Sequence, residues 1–306
     1  MRYITLLPLF FTVHLAFAQV ATQTAATKTA QNPSDQSELS DILGEITPSE
    51  DSALQERLSK EAKGDRNRYL LQTYRPNYVL PYYYTGSPDF AVYDGMIPDD
   101  QTLQNEEVKA QFSVSVPLWE QMLGSGYSLQ AAYTQLSYWQ LYTDSAWFRE
   151  TNYEPELFVS TQPHRNWLVN VGVNHQSNGR GGDEERSWNR AYIDVLASDD
   201  NWVVGLRVWA LIFEAQSADI YNPNIEDYMG HERILLAYKF KDNTFAFTAR
   251  NLEKPEHAAY ELTWSHPLTD YLSIYAQGFS GYGQSLIEYD HFTNSAGIGL
   301  AINDWI

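Results

Sequence analysis

Three side chains between positions 175 and 189 have the types and spacing needed for nucleophilic catalysis. His175 and Ser177 lie two residues apart in a predicted strand, so both side chains leave the same face. A serine hydroxyl needs a base to become nucleophilic, and that base needs a partner that fixes its tautomer. Asn189, on the next predicted strand, can orient an imidazole by accepting its N–H. Ser-Asn-Gly is also ordinary turn chemistry, so spacing alone leaves catalysis and a simple turn both open.

Two neighbouring features offer an oxyanion donor and a cation ligand. Gly179 can present its backbone N–H to a developing oxyanion, because a glycine permits close approach and unusual dihedral angles. The run Asp183-Glu184-Glu185 supplies carboxylate oxygens for a hard cation, although it lacks the spacing of an EF-hand loop. Both features also have simpler explanations, since Gly179 can merely turn the chain and acidic runs are commonly solvated loops.

The elements that must position these residues follow a period-2 pattern from Tyr69 onward. In the segment 108–118, for example, apolar side chains at alternate positions share one face. The pattern predicts twelve strands, at 69–84, 107–118, 127–142, 153–162, 166–177, 188–198, 201–213, 231–241, 243–252, 257–267, 270–281 and 294–305.

The predicted connections alternate between tight links and long polar stretches. The tight links are at 199–200 and 241–243, and the long stretches are at 178–187, 214–230 and 282–293. An even number of strands with this alternation is typical of bacterial outer-membrane barrels. We therefore predict an all-β fold, a 12-stranded antiparallel transmembrane β-barrel. Periodicity alone also permits a soluble secreted β-sandwich, such as a lectin.

Composition favours the membrane barrel and excludes several function classes. The 22 Tyr, 9 Trp and 13 Phe residues suit the aromatic girdles found at membrane interfaces. A formal charge of -19 opposes binding to a phosphate backbone, so nucleic acid is not an expected partner. The absence of Cys excludes disulfides, a thiolate nucleophile and a Cys zinc site.

The N-terminal region divides into two predicted segments. Residues 1–18 combine Arg2, an apolar run and the small-x-small end Ala16-Phe17-Ala18, which is the pattern of a cleaved signal peptide. Residues 19–66 are polar with few aromatic residues, which indicates a flexible periplasmic leader. The remaining 67–306 form the predicted barrel domain.

The motif 175–180 followed by 186–190 resembles outer-membrane phospholipase A of Gram-negative bacteria, also known as detergent-resistant phospholipase A. Further segments similar to this family run through the chain from Tyr69 to its C-terminus. They are 133–135, 139–141, 148–155, 228–230, 280–283 and 285–287.

The resemblance implies an outer-membrane enzyme whose site faces the lipid near the extracellular leaflet. It makes Ser177 the nucleophile, His175 the general base and then acid, Asn189 the orienting residue and Gly179 the oxyanion donor. The expected reaction is hydrolysis of phospholipid acyl esters, of the phospholipase A1, phospholipase A2 and lysophospholipase types. Expected partners are phospholipid substrates, the outer-membrane bilayer and a second copy of the chain in an active homodimer.

The resemblance also implies Ca²⁺ as cofactor, bound when two barrels associate and supplementing the Gly179 amide. The ligands by position are the backbone oxygen of Arg180, the residue at 185, and the backbone oxygen of Ser145 of the partner subunit. The family has a serine at the position of Glu185. A carboxylate is a stronger ligand for a hard cation, so this chain either binds calcium more tightly or binds it already as a monomer.

Gln135 matches a family glutamine at the dimer interface, where a buried amide can specify pairing. The alternative is a lumen-facing polar residue of a barrel strand. The competing function is a non-enzymatic transport or porin-like barrel in which His175 and Ser177 are rim residues. A lumen packed with polar side chains would oppose that function. The C-terminal Ile306 differs from the terminal aromatic residue common among outer-membrane proteins.

Overall fold

The structure, a computed structural model, describes residues 71–124, 126–212 and 222–305. The predicted signal peptide, 1–18, and the predicted leader, 19–66, lie outside the described residues. Part of the predicted long connection 214–230 also lies outside them. Among the residues described, no helix is long and apolar enough to cross a membrane.

Twelve long strands of the described chain form one antiparallel sheet that closes on itself. Each strand pairs with its neighbours in sequence, and the first of them pairs with the last to complete the ring. This confirms the predicted 12-stranded antiparallel β-barrel. The strands are β2 (Asn77–Thr85), β3 (Glu106–Trp119), β4 (Tyr127–Gln140), β5 (Trp147–His164), β6 (Trp167–Ser177), β7 (Ser187–Asp199), β8 (Trp202–Leu211), β9 (Glu232–Phe240), β10 (Asn243–Arg250), β11 (Ala259–Thr269), β12 (Leu272–Tyr282) and β13 (Phe292–Asn303).

Closure fixes which side chains face the interior and which face outward. On β3 the inward positions carry Lys109, Ser113 and Ser115, which are buried, while Phe112 and Leu118 are exposed. The same alternation recurs on β6, where Asn170 and Asn174 are buried and Val171 and Val173 are exposed. An apolar exterior and a polar interior are the inverse of a soluble sandwich, and they match a barrel whose solvent is lipid.

A ring of exposed aromatic residues stands at the end of the barrel that carries the short turns. They stand where strands begin or end, at Trp119, Tyr127, Trp167, Trp202, Phe240 and Tyr271. Such a ring suits the boundary between lipid and water. Because short turns face the periplasm and long loops face the exterior, this end is the periplasmic one.

Three elements differ from the prediction. The first predicted strand is broken at Tyr74–Pro76, and its beginning forms a short strand β1 (Gln72–Thr73) paired with β3. Pro76 lacks an N–H for the ladder, which suits a break there. β5 starts at Trp147, earlier than predicted, because a bulge opposite Tyr138 and Trp139 lets the pairing with β4 continue. The predicted connection before β9 contains a one-turn helix, α1 (Ile225–Met229).

Ion pairs cross the barrel interior between side chains that are far apart in the sequence. Arg75 binds Glu154 at 2.7 Å, and Arg190 binds the same carboxylate at 2.9 Å. Glu156 pairs with Arg75 and with Arg207. A lumen filled in this way is not an open pore, which counts against a transport channel.

A second ion-pair network closes the extracellular end beneath the long loops. Arg149 donates to Glu107 at 2.8 Å and to Glu288 at 2.6 Å, and all three side chains are buried. Burial by itself raises the pKa of Glu288, but the Arg149 charge opposes that effect. Hydrogen bonds from the Asp89 N–H and the Ser285 hydroxyl also lower the pKa. Together with Arg149 they outweigh burial, so the pKa of Glu288 lies below its ordinary value.

A lowered pKa means that Glu288 stabilises the folded barrel above the ordinary glutamate pKa of about 4.3, and that this contribution is lost as pH falls through the lowered folded-state value. We expect Glu288→Gln to reduce stability at neutral pH by on the order of 2 kcal/mol, because a charged hydrogen-bond acceptor is lost. The unfolding temperature should change less between pH 7 and pH 4 in the variant than in wild type. Asp290→Asn, an exposed acid of the same loop, is the control. Equal pH sensitivity of Glu288→Gln and wild type would contradict this assignment.

Candidate active site

The register between β6 and β7 places the three predicted triad residues on one patch of the outer wall. His175 stands directly opposite Asn189, and Ser177 stands opposite Ser187. The neighbours Asn174, Gln176 and Arg190 alternate with them and line the interior. His175, Ser177 and Asn189 therefore all point outward, towards lipid, at the extracellular end of the barrel.

His175 and Asn189 form a direct hydrogen bond between their side chains. The His175 Nδ1–H donates to Asn189 Oδ1 at 2.9 Å, because an amide oxygen can only accept. This bond fixes the tautomer and leaves the lone pair on Nε2. Ser177 follows on the same face at about 7 Å along the strand, a separation that two side chains can bridge. Among the described residues no hydrogen bond joins His175 to Ser177, so the structure shows the bond that orients the imidazole and places the serine hydroxyl on the same face.

Asn178 organises the loop that follows Ser177. Its N–H donates to the Arg186 carbonyl at 3.1 Å, and its Oδ1 accepts from the Arg186 N–H at 3.0 Å. The same oxygen accepts from the Arg180 N–H at 3.3 Å, while Nδ2 donates to the Glu184 carbonyl at 2.9 Å. One nearly buried amide thus joins both ends of the loop 178–186. The residues after the predicted nucleophile are held rigidly as a result.

Gly179 occupies a conformation that requires glycine. Its φ is +67°, and a Cβ at this position would come within 2.9 Å of the Tyr153 ring. Tyr153 is the β5 partner of Ser177, so it forms a floor beneath the loop. Within the described residues, no acceptor is hydrogen-bonded to the Gly179 N–H. That N–H can serve an oxyanion formed beside Ser177.

The predicted calcium ligands lie in two separate extracellular loops. Arg180 and Glu185 belong to the loop 178–186, and Ser145 lies exposed between β4 and β5. The Arg180 guanidinium donates to Glu150 at 3.1 Å and to the Arg149 carbonyl at 2.6 Å, which anchors the loop to β5. Nowhere in the described chain do three or more His, Cys, Asp or Glu side chains form a metal-binding group.

Gln135 faces outward from β4, which excludes the lumen-facing alternative. Its amide oxygen accepts from the Tyr133 hydroxyl at 3.0 Å, and its Nε2 donates to Ser137 at 3.3 Å. Gln135 pairs across the sheet with Tyr153, which in turn pairs with Ser177. Gln135 and Ser177 therefore stand in one row, two strands apart, separated by about 10 Å.

Sequence reasoning did not assign roles to three residues that shape this site. Tyr153 supports Gly179, Glu150 anchors Arg180, and Asn178 joins the ends of the loop. Two of them fall in the segment 148–155, whose similarity to the family was the available signal. The roles of Tyr153 and Glu150 depend on contacts with a loop that is distant in sequence, which spacing along the chain does not reveal.

Comparison with known proteins identifies the family. The family model for phospholipase A1 matches residues 54–302. The chain belongs to the phospholipase A1 family. Among relatives, phospholipase A1 of Klebsiella pneumoniae is 36% identical over 251 residues, covering 78% of this chain and 84% of the relative. Phospholipase A1 of Escherichia coli strain K12 is 35% identical over 251 residues, covering 78% and 83%.

Solved structures of the family have the same fold. Outer membrane phospholipase A from Escherichia coli matches with a TM-score of 0.73 and 33% identity, covering 82% of this chain and 98% of that protein. The Salmonella typhi outer membrane phospholipase, described as a dimer with bound calcium, matches with a TM-score of 0.70 and 33% identity, covering 78% and 94%. The family predicted from the motifs is confirmed. So is the predicted location, and the chain is an outer-membrane β-barrel.

The geometry at Gly179 predicts a local effect of adding one methyl group. We expect Gly179→Ala to lower lipid hydrolysis strongly, because the left-handed φ is unfavourable for alanine and the methyl group meets Tyr153. Gly181→Ala is the matched control, since its Cβ meets open space two residues away. Initial rates of fatty-acid release by both folded variants measure the difference. Equal rates for the two variants would show that the loop tolerates the strain.

Proposed function

We propose that Ser177, His175 and Asn189 form the triad of a calcium-dependent phospholipase that is active as a dimer. Membership of the phospholipase A1 family makes the chain a phospholipid ester hydrolase of the outer membrane, as the resemblance predicted. The observation that carries the finer proposal is the His175–Asn189 hydrogen bond, on the same outward patch as Ser177. Lipid esters reach this patch directly from the bilayer.

The chemistry follows from these positions. Ser177 Oγ attacks the ester carbonyl carbon while His175 Nε2 takes the hydroxyl proton, and Asn189 holds the imidazole in the required tautomer. The Gly179 N–H stabilises the oxyanion of the tetrahedral intermediate. His175 then returns the proton to the leaving alcohol, which departs as lysophospholipid and leaves an acyl group on Ser177. Water, deprotonated by His175, releases the fatty acid and restores the serine.

The residues present fit a calcium ion. The Arg180 carbonyl and the Glu185 carboxylate are hard oxygen donors, and neither takes part in a hydrogen bond or an ion pair within the described residues. The Ser145 carbonyl of the partner subunit completes the proposed ligand set. When bound, calcium supplies positive charge that stabilises the oxyanion beside the Gly179 amide. The calcium-bound dimer from Salmonella typhi supports this proposal.

The outward row from Gln135 to Ser177 is the proposed dimer surface. The half-buried Gln135 amide uses one acceptor and one donor position within its own strand, and a second barrel can satisfy the remaining ones. Phe112, the β3 partner of Gln135, extends the row with an exposed apolar side chain. Pairing along this row brings a second wall within reach of lipid chains held beside Ser177. Gln135 then specifies the register of the two barrels.

The proposal also includes export of the chain across the inner membrane. Residues 1–18 serve as the signal peptide and 19–66 as a periplasmic leader. The described chain supports this assignment, because β1 and the start of β2 lie at the end of the barrel that carries the short turns. A transport function is disfavoured, since ion pairs of Arg75, Arg190 and Arg207 cross the lumen.

Replacing the proposed nucleophile tests the triad. We expect Ser177→Ala to lower fatty-acid release from mixed detergent–phospholipid micelles by about 10⁴-fold or more, because no other group takes over covalent catalysis. Ser187→Ala is the matched control, since Ser187 is the cross-strand partner of Ser177 and shares its row. The control should retain wild-type activity. Retained activity in Ser177→Ala would refute the triad.

The carboxylate at 185 makes a second prediction, about calcium. We expect Glu185→Gln to raise the calcium concentration needed for half-maximal activity by about tenfold, because a charged ligand becomes neutral. Asp183→Asn, an exposed acid of the same loop, should leave that concentration unchanged. Calcium titrations of activity and of dimer formation, at fixed protein concentration, distinguish tighter calcium binding by the dimer from calcium binding already by the monomer. Coinciding midpoints in wild type would rule out calcium binding by the monomer.

A further inference from the structure

The barrel interior encloses a cavity of about 220 Å³ whose lining is strongly positive. Many waters fit in such a space, since one needs only roughly 10–15 Å³ of it. Among the described residues that line it, two carboxylates, Glu154 and Glu261, face six cationic side chains. The cations are Arg75, Lys109, Arg190, Arg207, Arg233 and Arg250. Two further carboxylates, Glu156 and Asp194, stand just outside the lining and still leave an excess of positive charge.

Three of these arginines stand side by side on adjacent strands. Arg207 on β8 is the direct cross-strand partner of Arg233 on β9, and Arg233 is the direct partner of Arg250 on β10. All three side chains face the cavity. Directly opposed residues hold their Cβ atoms about 5 Å apart, and like charges in this position destabilise a sheet. A row of three guanidinium groups therefore needs compensation.

Among the described residues, one arginine of this row has a carboxylate partner. Arg207 pairs with Glu156, which is fully buried. Arg233 forms no ion pair within the described residues, and its contact is the Trp305 ring, 5.5 Å away. Arg250 donates to the carbonyls of Tyr282 and Gly283 at 2.7 and 3.1 Å. These carbonyls are neutral acceptors, so neither Arg233 nor Arg250 has a carboxylate in direct contact among the described residues.

Unused hydrogen-bond donors point to the same deficiency. Arg250 Nε and Arg190 Nε are buried without a partner. Glu261 lines the cavity but makes no ion pair with Arg233 or Arg250 in the described structure. Burying a charge without a counter-charge is unfavourable, whereas a guanidinium fork binds an oxyanion through two parallel N–H donors. An oxyanion bound by Arg233 and Arg250 would supply a direct counter-charge and an acceptor for the free Arg250 Nε–H.

We propose that the lumen of this barrel binds a phosphate-type oxyanion through Arg233 and Arg250. The ligand is either free inorganic phosphate or the phosphate of a small monoester, and both present the same group to the two arginines. Binding neutralises the arginine row, so an occupied lumen stabilises the barrel. The site is separate from the outward patch of Ser177, because Arg233 and Arg250 are inward side chains of β9 and β10, whereas Ser177 points outward from β6.

Thermal unfolding of the folded barrel in detergent micelles tests this site. Sodium phosphate is compared with sodium chloride at equal ionic strength, and sn-glycerol 3-phosphate forms the monoester arm. We expect phosphate to raise the unfolding temperature of wild type. The double variant Arg233→Gln, Arg250→Gln should lose this shift, with phosphate affinity falling about tenfold or more. Lys241→Gln, an exposed cation of a periplasmic turn, should keep it. A shift by one phosphate compound alone identifies the source of the ligand.

Two further measurements make the outcome decisive. In phosphate-free buffer Arg233→Gln should unfold at a higher temperature than wild type, because like-charge repulsion is relieved, whereas a purely structural arginine would give the opposite result. Calorimetric titration of wild type with inorganic phosphate needs no variant and should show binding. Absence of binding to wild type, or an equal phosphate shift in the double variant, would overturn the proposal.

Discussion

The pleat of a closed sheet is the constraint on which the rest of this protein depends. Because a ring of strands has only an inside and an outside, the parity of each residue decides whether it meets lipid or lumen. His175 and Ser177 share the outward parity of β6, and the register with β7 sets Asn189 beside them. A shift of one residue in that register would turn Asn189 into the lumen and remove the hydrogen bond that orients His175. The candidate site is thus a product of strand pairing rather than of a pocket.

Contacts inside the barrel support the candidate site on its outer wall. Ion pairs of Arg75, Arg190 and Arg207 join strands across the lumen, and the Arg149 network closes the extracellular end. These contacts hold the wall against which the outward patch is built. Arg180 connects the two regions, since it belongs to the loop after Ser177 and its guanidinium is anchored to Glu150 on β5. Rigidity of this loop is what an oxyanion donor requires.

Strand number and parity could be predicted from the sequence, because lipid outside and polar groups inside impose a period of two on every strand. That His175 and Ser177 share one face followed from the same rule, whereas the resemblance implied that this face is the outward one. The bulge that starts β5 at Trp147 and the helix α1 were missed, because neither has a periodic signal. The contact of Gly179 with Tyr153 and the row of Arg207, Arg233 and Arg250 were also beyond prediction. They depend on the relative register of several strands, which a single sequence does not encode locally.

The central claim is that a serine on the outer wall is the activated nucleophile, and covalent labelling tests it directly. A fluorophosphonate or sulfonyl fluoride probe forms a stable bond with a serine hydroxyl that a neighbouring base has activated. The folded barrel in micelles is treated with the probe, and mass spectrometry of its peptides locates the modified residue. The account predicts modification at Ser177, none at Ser187, and loss of modification in His175→Ala. Labelling at another serine, or labelling of Ser177 that persists without His175, would contradict it.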